Sequence, residues 1–265
     1  MEALRDDLRL ALDRVAFAHK AFRFLPYGDR PDGWQEELLR STSKRIILNC
    51  ARQSGKTTAV AALALHTAIY RPRSFCLIYA PSQDQSTEFF KRVEELAHGL
   101  GMDAVNPEAL RKTGMDLKNG SRIEARPGSA RTARGRTADL IVIDEASWVE
   151  DNLYHSLRPS LAVTGGRLVV LSTPYGKRGF FYEEWTEGEE WERYEVPAPK
   201  CPRITQDFLE GERRTTPELW FRQEYFCEFR ETEDQLFTFE MIERARDDDI
   251  EEYCFEGDST LWRTA

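Results

Sequence analysis

The sequence has no long apolar run. Its longest weakly polar segment, residues 59–69, is interrupted by His66 and is too short to span a bilayer. The N-terminus, M-E-A-L-R-D-D-L-R-L, carries charges where a secretory signal needs an apolar stretch. These two absences argue against a membrane protein and against secretion.

Paired cysteines and zinc-type spacings are absent as well. The chain has five cysteines, an odd number, and no two of them stand in a C-x-x-C spacing. We therefore expect no disulfide framework and no zinc module, but reduced thiols in a cytosolic compartment. The cysteines are Cys50, Cys76, Cys201, Cys227 and Cys254.

Basic residues are fewer than acidic residues in this sequence. The formal net charge is −9, whereas proteins that grip DNA over a broad face are usually basic. Any contact with nucleic acid should therefore be local, transient or shared among several subunits. The sequence also contains no internal repeat and no low-complexity linker.

What the chain does contain is an alternation of strand and helix patterns over 265 residues, of which 41% are hydrophobic. Apolar runs predict strands at 45–49, 75–80, 140–144 and 167–172. Helical spacing predicts helices at 2–20, 32–40, 56–70, 83–100, 205–213 and 217–228. The K-N-G stretch at 118–120 favours a hairpin. Strands that alternate with helices predict an α/β fold with a parallel sheet.

Residues 47–60, I-L-N-C-A-R-Q-S-G-K-T-T-A-V, resemble a phosphate-binding loop between a strand and a helix. The pattern G-x-x-x-x-G-K-[ST] is met except at its first glycine, whose place is taken by Cys50. Amides at a helix N-terminus attract an anion. In that interpretation Lys56 reaches the β- and γ-phosphates and Thr57 holds Mg²⁺. The alternative is a plain strand–turn–helix with a solvated lysine.

A second pattern, L-I-V-I-D-E-A at 140–146, predicts a buried strand that ends in an acid pair. Ligands of open parallel sheets bind beyond the carboxyl ends of the strands. Asp144 fits the acid that orients the water shell of a metal, and Glu145 fits the base that polarises an attacking water. The alternative is an acidic pair that caps the next helix.

Two further signals accompany these motifs. The run L-V-V-L-S-T-P at 168–174 places Ser172 and Thr173 at the end of a strand, where hydroxyls could sense a γ-phosphate; the alternative is a turn before Pro174. Upstream of the loop, the Gln35 amide could pair with an adenine edge, or it could lie on the surface of a helix.

An arginine-rich stretch, R-P-G-S-A-R-T-A-R-G-R-T-A-D at 126–139, precedes the acid-pair strand. An arginine on such a loop could reach a transferring phosphate or contact DNA phosphates, or it could be solvated. The arginines are Arg126, Arg131, Arg134 and Arg136.

Taken in order, W-Q, A-R-Q-S-G-K-T, R-G-R-T-A-D-L-I-V-I-D-E-A and L-S-T-P-Y-G resemble the ATPase domain of large terminase subunits, the DNA-packaging motors of tailed bacteriophages. F-R-Q-E-Y-F-C-E-F-R resembles the end of that family's lid region. The resemblance implies a RecA-like P-loop ATPase of the additional-strand catalytic-glutamate class, with a mostly parallel sheet flanked by helices and a small C-terminal lid.

The resemblance also implies roles for individual residues. Gln35 resembles the adenine-recognising glutamine, Glu145 the catalytic glutamate and Asp144 the Walker B metal ligand. Arg134 resembles an arginine finger that acts in trans, and Arg52 is a second candidate for sensing phosphate. The variant Walker A loop comprises Arg52, Gln53, Ser54, Gly55, Lys56, Thr57 and the adjoining Thr58, and the coupling motif comprises Ser172, Thr173 and Pro174.

The implied function is Mg²⁺-dependent ATP hydrolysis that moves double-stranded DNA into a procapsid in the host cytoplasm. The implied partners are a homo-oligomeric ring on a portal protein and a small terminase subunit, with no membrane. Two alternatives stay open: a helicase-like or other DNA-stimulated P-loop ATPase, and a nucleotide-binding scaffold without turnover.

We expect four segments along the chain. They are an N-terminal helical extension at 1–30, the P-loop ATPase core at 31–195, the lid at 196–245 and an acidic tail at 246–265. The family usually continues into an RNase H-like nuclease domain, which we expect to be absent here. Acidic residues confined to one local run do not make a two-metal site, so we expect no nuclease activity.

Overall fold

A computed structural model describes residues 2–23, 25, 28, 30–101, 110–128, 136–231, 241 and 244–245. The chain divides into two compact units, Met1–Arg230 and Glu231–Ala265. Almost all described residues belong to the first unit, which carries every element named below.

The described helices include those predicted at 32–40, 56–70, 83–100, 205–213 and 217–228, close to the predicted bounds, and two that were not predicted, at 151–157 and 179–186. They are α1 (Glu2–Leu12), α2 (Arg14–Phe22), α3 (Gly33–Arg40), α4 (Lys56–Tyr70), α5 (Gln83–Gly99), α6 (Asp151–Leu157), α7 (Gly179–Thr186), α8 (Gln206–Thr215) and α9 (Glu218–Phe226). The strands are β1 (Arg45–Cys50), β2 (Phe75–Ala80), β3 (Gly114–Asp116), β4 (Arg122–Pro127), β5 (Leu140–Asp144), β6 (Arg167–Ser172) and β7 (Glu192–Val196).

The strands form one sheet in the order β3-β4-β2-β5-β6-β1-β7. All neighbouring pairs are parallel except β3 and β4, which form the hairpin predicted at the K-N-G turn. Strand β6 lies between β1, which leads into the phosphate loop, and β5, which carries the acid pair. This inserted strand defines the additional-strand class, so the predicted fold class is confirmed.

Alternate side chains of β1 enter two separate apolar layers, as the period of a strand requires. Ile46 and Leu48 join the layer formed with α2, α3, α4 and α5. Ile47 faces the opposite layer, where residues of α6 and α7 pack. Because both faces of the sheet are covered, its strands read as continuous apolar runs.

The N-terminal segment differs from the prediction of a single helix over 2–20. The chain breaks at Asp13, whose carboxylate accepts hydrogen bonds from the amides of Val15 and Ala16, at 2.9 and 3.0 Å, and so caps α2. Helix α2 packs into the main core. Leu4 and Leu8 of α1 are largely exposed. No helix of the described residues is long and apolar enough to cross a membrane.

Strand β7 was not predicted, because E-R-Y-E-V has three charged residues of five and so lacks an apolar run; the strand lies at the sheet edge. The predicted short helices that follow are confirmed as α8 and α9. They rest on a small apolar cluster that joins Leu209 and Cys227 to Ala51, the first residue after β1. The four described cysteines are buried and free.

Candidate active site

The phosphate loop joins β1 to α4 at the carboxyl edge of the sheet. Gln53 and Gly55 both have positive φ, 58° and 89°, so the chain turns sharply before α4 begins at Lys56. A Cβ on Gly55 would lie 2.8 Å from both Arg203 Nη2 and Gln35 Nε2. Glycine is therefore favoured here for two reasons: the backbone has a positive φ, and the two side chains leave no room for a Cβ.

Lys56 is buried beneath the loop and points at the acid pair. Its Nζ lies 3.0 Å from Glu145 Oε1 and 3.4 Å from Thr173 Oγ1. Burial alone would lower the pKa of Lys56, but Glu145 and Asp144 hold it above its ordinary value. The lysine therefore joins three predicted motifs in one charged cluster.

The two acids differ in their surroundings. Burial and the neighbouring Glu145 raise the pKa of Asp144 well above its ordinary value, against the effect of Lys56. A hydrogen bond from Thr57 stabilises the ionised Asp144 carboxylate. Glu145 is partly exposed and adopts φ 49°, a left-handed conformation that strains a residue with a side chain.

Thr57 and Asp144 together form a donor set that suits Mg²⁺. This ion is commonly bound by one or two carboxylates and substrate phosphates, and keeps several waters. Within the described residues no cluster of three or more His, Cys, Asp or Glu could hold a metal by itself. The residues present thus fit a metal that arrives with its phosphate ligand.

The coupling-motif residues lie directly beside the acid pair. Ser172 ends β6 and Thr173 follows it, both in buried positions, and Pro174 is buried as well. Sequence reasoning missed Ser147, whose amide bonds to Ser172 Oγ at 3.2 Å and whose hydroxyl donates to the Thr173 carbonyl at 2.9 Å. Its position two residues after Glu145 was the available signal.

Gln35 is buried, and both ends of its amide are engaged. Its Oε1 accepts from the Asp32 amide at 2.8 Å, and its Nε2 donates to the Gly55 carbonyl at 3.0 Å. The glutamine thus ties the start of α3 to the phosphate loop. It also lines a cavity of about 280 Å³ together with Gln53, Gly55, Thr58, Arg203 and six other residues.

Of the predicted arginines, Arg52, Arg126 and Arg136 lie within the described residues. The Arg52 side chain is 70% exposed, with its Nε 3.5 Å from Glu224 Oε2 of α9. Arg126 and Arg136 both bind Glu124, at 2.6 and 3.0 Å. Arg131 and Arg134 lie outside the described residues, so their assignment stays a prediction.

These features define a P-loop nucleotide-binding protein of the additional-strand class. The sheet is mostly parallel, a lysine-bearing loop follows β1 at a helix N-terminus, and the acid pair ends β5, which β6 separates from β1. Family comparison is more specific. A family model described as "Terminase large subunit, T4likevirus-type, N-terminal" matches residues 47–244. The chain belongs to this family of phage terminases, as its motifs predicted.

Individual relatives agree with the family. The large terminase subunit of Thermus phage G20c is 28% identical over 266 residues, covering 86% of this chain and 54% of the relative. The chain thus spans about half the length of that curated relative.

Solved structures give the same result. The large terminase ATPase domain of Thermus phage P74-26 is 26% identical with a TM-score of 0.65, covering 77% of this chain and 96% of that one. The large terminase of bacteriophage HK97 has a TM-score of 0.69 at 16% identity, covering 83% and 55%, which is a likeness of fold.

Proposed function

We propose that this chain is the ATP-hydrolysing motor part of a phage terminase and that it drives double-stranded DNA into a procapsid. The observation that carries the proposal is the contact of Lys56 with both Glu145 and Thr173, because it joins the phosphate loop, acid pair and coupling motif. The similarity to a solved terminase ATPase domain supports the same activity.

In this proposal each residue of the cluster has one role. Lys56 binds the β- and γ-phosphates of ATP, and Glu145 polarises the attacking water. Thr57 and Asp144 hold Mg²⁺, which would neutralise charge on the phosphates. Thr173 and Ser172 transmit the loss of the γ-phosphate to neighbouring segments.

The ion pair between Lys56 and Glu145 implies that ATP binds before Glu145 can act on a water. While Lys56 holds the Glu145 carboxylate, one oxygen of that carboxylate is engaged by the ammonium group and is not free to contact a water. A γ-phosphate competes for the same ammonium group and so frees Glu145 only when substrate is present. Glu145 is therefore available to polarise a water only once ATP occupies the loop.

A Glu145→Gln variant tests the catalytic assignment. We expect it to bind ATP with affinity similar to that of the unaltered protein and to lose hydrolysis by a factor of about 100 or more. Glu150→Gln serves as the control, since Glu150 is exposed in the same stretch of chain and caps no amide. A scaffold without turnover would show no hydrolysis in any of the three proteins, and retained turnover in Glu145→Gln would remove that residue from the mechanism.

We also propose that a homo-oligomeric ring forms on a portal protein in the host cytoplasm, with a small terminase subunit as a further partner. In such a ring Arg134 reaches the site of a neighbouring subunit, and Arg52 is the second candidate. Mixing Arg134→Ala protein with Lys56→Ala protein tests this, because a site completed in trans regains ATPase activity. A fully active Arg134→Ala protein would transfer the role to Arg52.

The proposed motor function also predicts how DNA and protein concentration affect the ATPase rate. The ATPase rate per subunit should rise with protein concentration and with added double-stranded DNA, since assembly completes each site. An ATPase rate that depends on neither protein concentration nor added DNA would favour a nucleotide-binding protein outside the packaging motor.

A further inference from the structure

Arg203 links two segments that are distant in sequence. It stands just before α8, and its Nη1 donates to Asp32 Oδ1 at 2.8 Å while its Nη2 donates to the Ser54 carbonyl at 2.9 Å. One guanidinium therefore holds the residue that precedes α3 and the backbone of the phosphate loop at a fixed separation.

The cavity beside Arg203 lies apart from the charged cluster at Lys56. Its lining includes Gly55 and Thr58 but none of Lys56, Asp144, Glu145 or Thr173. The cavity therefore borders the phosphate loop but does not include the charged cluster.

The composition of the cavity wall suits a flat aromatic ring with polar edges. Phe22, Leu25 and Ile204 supply apolar surface, and Gln35 and Arg203 supply polar groups. Leu25 and Ile204 also pack against the main core, so this wall is anchored. The base of a nucleotide whose phosphates lie on the loop would reach this side.

The chemistry of the bridge requires arginine. Two different nitrogens of one planar group serve two acceptors, and the Arg203 side chain is only 30% exposed while that of Asp32 is 9% exposed. A lysine ammonium is a point donor on a flexible stem and cannot reproduce this fork. The partly buried pair is also screened less by salt than a surface pair.

We propose that Arg203 is a positioning residue for nucleotide binding: it fixes the distance between the start of α3 and the phosphate loop, and so keeps the base-binding cavity open at the right width. The inference rests on the proposed function, in that the ligand is a nucleotide. It predicts that Arg203 governs affinity for the base-bearing part of the ligand and leaves the chemical step unchanged.

The test compares two ligands on the full chain by calorimetry. For Arg203→Ala we expect ADP to bind at least about tenfold more weakly, while inorganic tripolyphosphate, which has no base, weakens less than threefold. Arg203→Lys should recover only a minor part of the ADP affinity. The KM for ATP should rise by a similar factor, with kcat within about twofold.

Two further variants serve as controls. Arg213→Ala removes an exposed arginine near the end of α8 that does not line the cavity, and should leave ADP affinity within about twofold. Asp32→Asn removes the charge at the other end of the bridge but keeps an oxygen that can accept from Arg203, so it should weaken ADP binding less than Arg203→Ala does. Asparagine still caps a helix. Thermal unfolding of each variant shows whether it is folded under the assay conditions.

The outcomes separate this inference from the proposed function. Failure of the unaltered protein to bind ADP at all would overturn the proposed function. Normal ADP binding in both Arg203→Ala and Asp32→Asn would overturn the positioning role alone. Equal losses for ADP and tripolyphosphate would also overturn it, because the effect would then belong to the phosphate loop as a whole.

Discussion

The Ser147 hydroxyl donates a hydrogen bond to the Thr173 carbonyl over 2.9 Å, and so joins the turn after the acid pair to the end of β6. The next residue strengthens this link, since the Trp148 ring stacks on Tyr175 with centroids 3.8 Å apart. A displacement of Thr173 would therefore be carried to Glu145 through contacts that span only a few residues.

Ser147→Ala should weaken turnover without weakening nucleotide binding. The variant removes the bond to the Thr173 carbonyl but leaves Lys56 and the phosphate loop untouched, so we expect kcat to fall about tenfold with unchanged ADP affinity. Steady-state kinetics and calorimetry measure the two quantities. Ser156→Ala is the matched control, because that hydroxyl bonds only within α6. Equal effects of the two variants would argue against the link.

Gly55→Ala should disrupt both the loop and its neighbours. The residue has φ 89°, and an added Cβ would lie 2.8 Å from two side-chain nitrogens. We expect a loss of about 1–3 kcal/mol in the free energy of unfolding and a large loss of ADP affinity. Gly211→Ala, in the open interior of α8, should instead stabilise the protein by about 0.5–1 kcal/mol. Denaturant titration compares the two, and a neutral Gly55→Ala would contradict the steric argument.

His66 should make the packing of the N-terminal helices sensitive to acid. Burial, with a smaller contribution from Arg14, lowers the pKa of His66 from 6.5 to about 4, and its Nε2 lies 3.1 Å from the Leu10 carbonyl oxygen. The folded state therefore favours the neutral ring. Its contribution is full above pH 6.5 and is lost as the pH falls from 6.5 to about 4, a loss of roughly 3 kcal/mol.

The measurement is the free energy of unfolding between pH 4 and 8. His66→Gln should flatten this dependence, because glutamine does not titrate, whereas His98→Asn on the exposed face of α5 should leave it unchanged. An equally steep dependence in His66→Gln would assign the acid sensitivity to other groups.

Asp144→Asn should stabilise the nucleotide-free protein while it abolishes hydrolysis. Because burial and Glu145 raise the pKa of Asp144, its ionisation destabilises the folded state. That penalty is present in full above the raised pKa and disappears as the pH falls toward about 4, the value of an unfolded aspartate. At pH 8, thermal unfolding should show that the variant is more stable by at least about 1 kcal/mol. This gain in stability should be smaller at pH 5. A loss of stability at pH 8 would contradict this balance of charges.

The core of the fold was predictable because its strands are buried on both faces. L-I-V-I-D and R-L-V-V-L-S are apolar runs with sharp ends, and β5 and β6 follow the predicted bounds. Strand β7 lacks that signal, since at the edge only one face and one side are covered. The break at Asp13 was missed because the apolar spacing continues across it, while the cap that interrupts the helix is a local hydrogen bond.

The site was predictable where the chemistry depends on neighbours in sequence. Lys56, Asp144 and Thr173 were found from strand-end motifs, and the structure brings them to one edge. Arg203 carried no signal, because its partner Ser54 lies 149 positions away and only the fold makes them neighbours. Gln35 shows the same limit: its amide is engaged by the protein itself, which no motif could reveal.

Strand β1 is held by parallel ladders on both sides, to β6 and to β7. This arrangement makes β1 a rigid part of the sheet, because sliding β1 would break two ladders at once. Segments that move relative to the sheet must therefore pivot in the turns beyond the strand ends. Amide hydrogens of β1 should exchange only on global unfolding, and those in the turns after β5 and β6 on far shorter timescales. In the proposed motor, force would therefore be transmitted by segments that pivot at these turns while the sheet stays rigid.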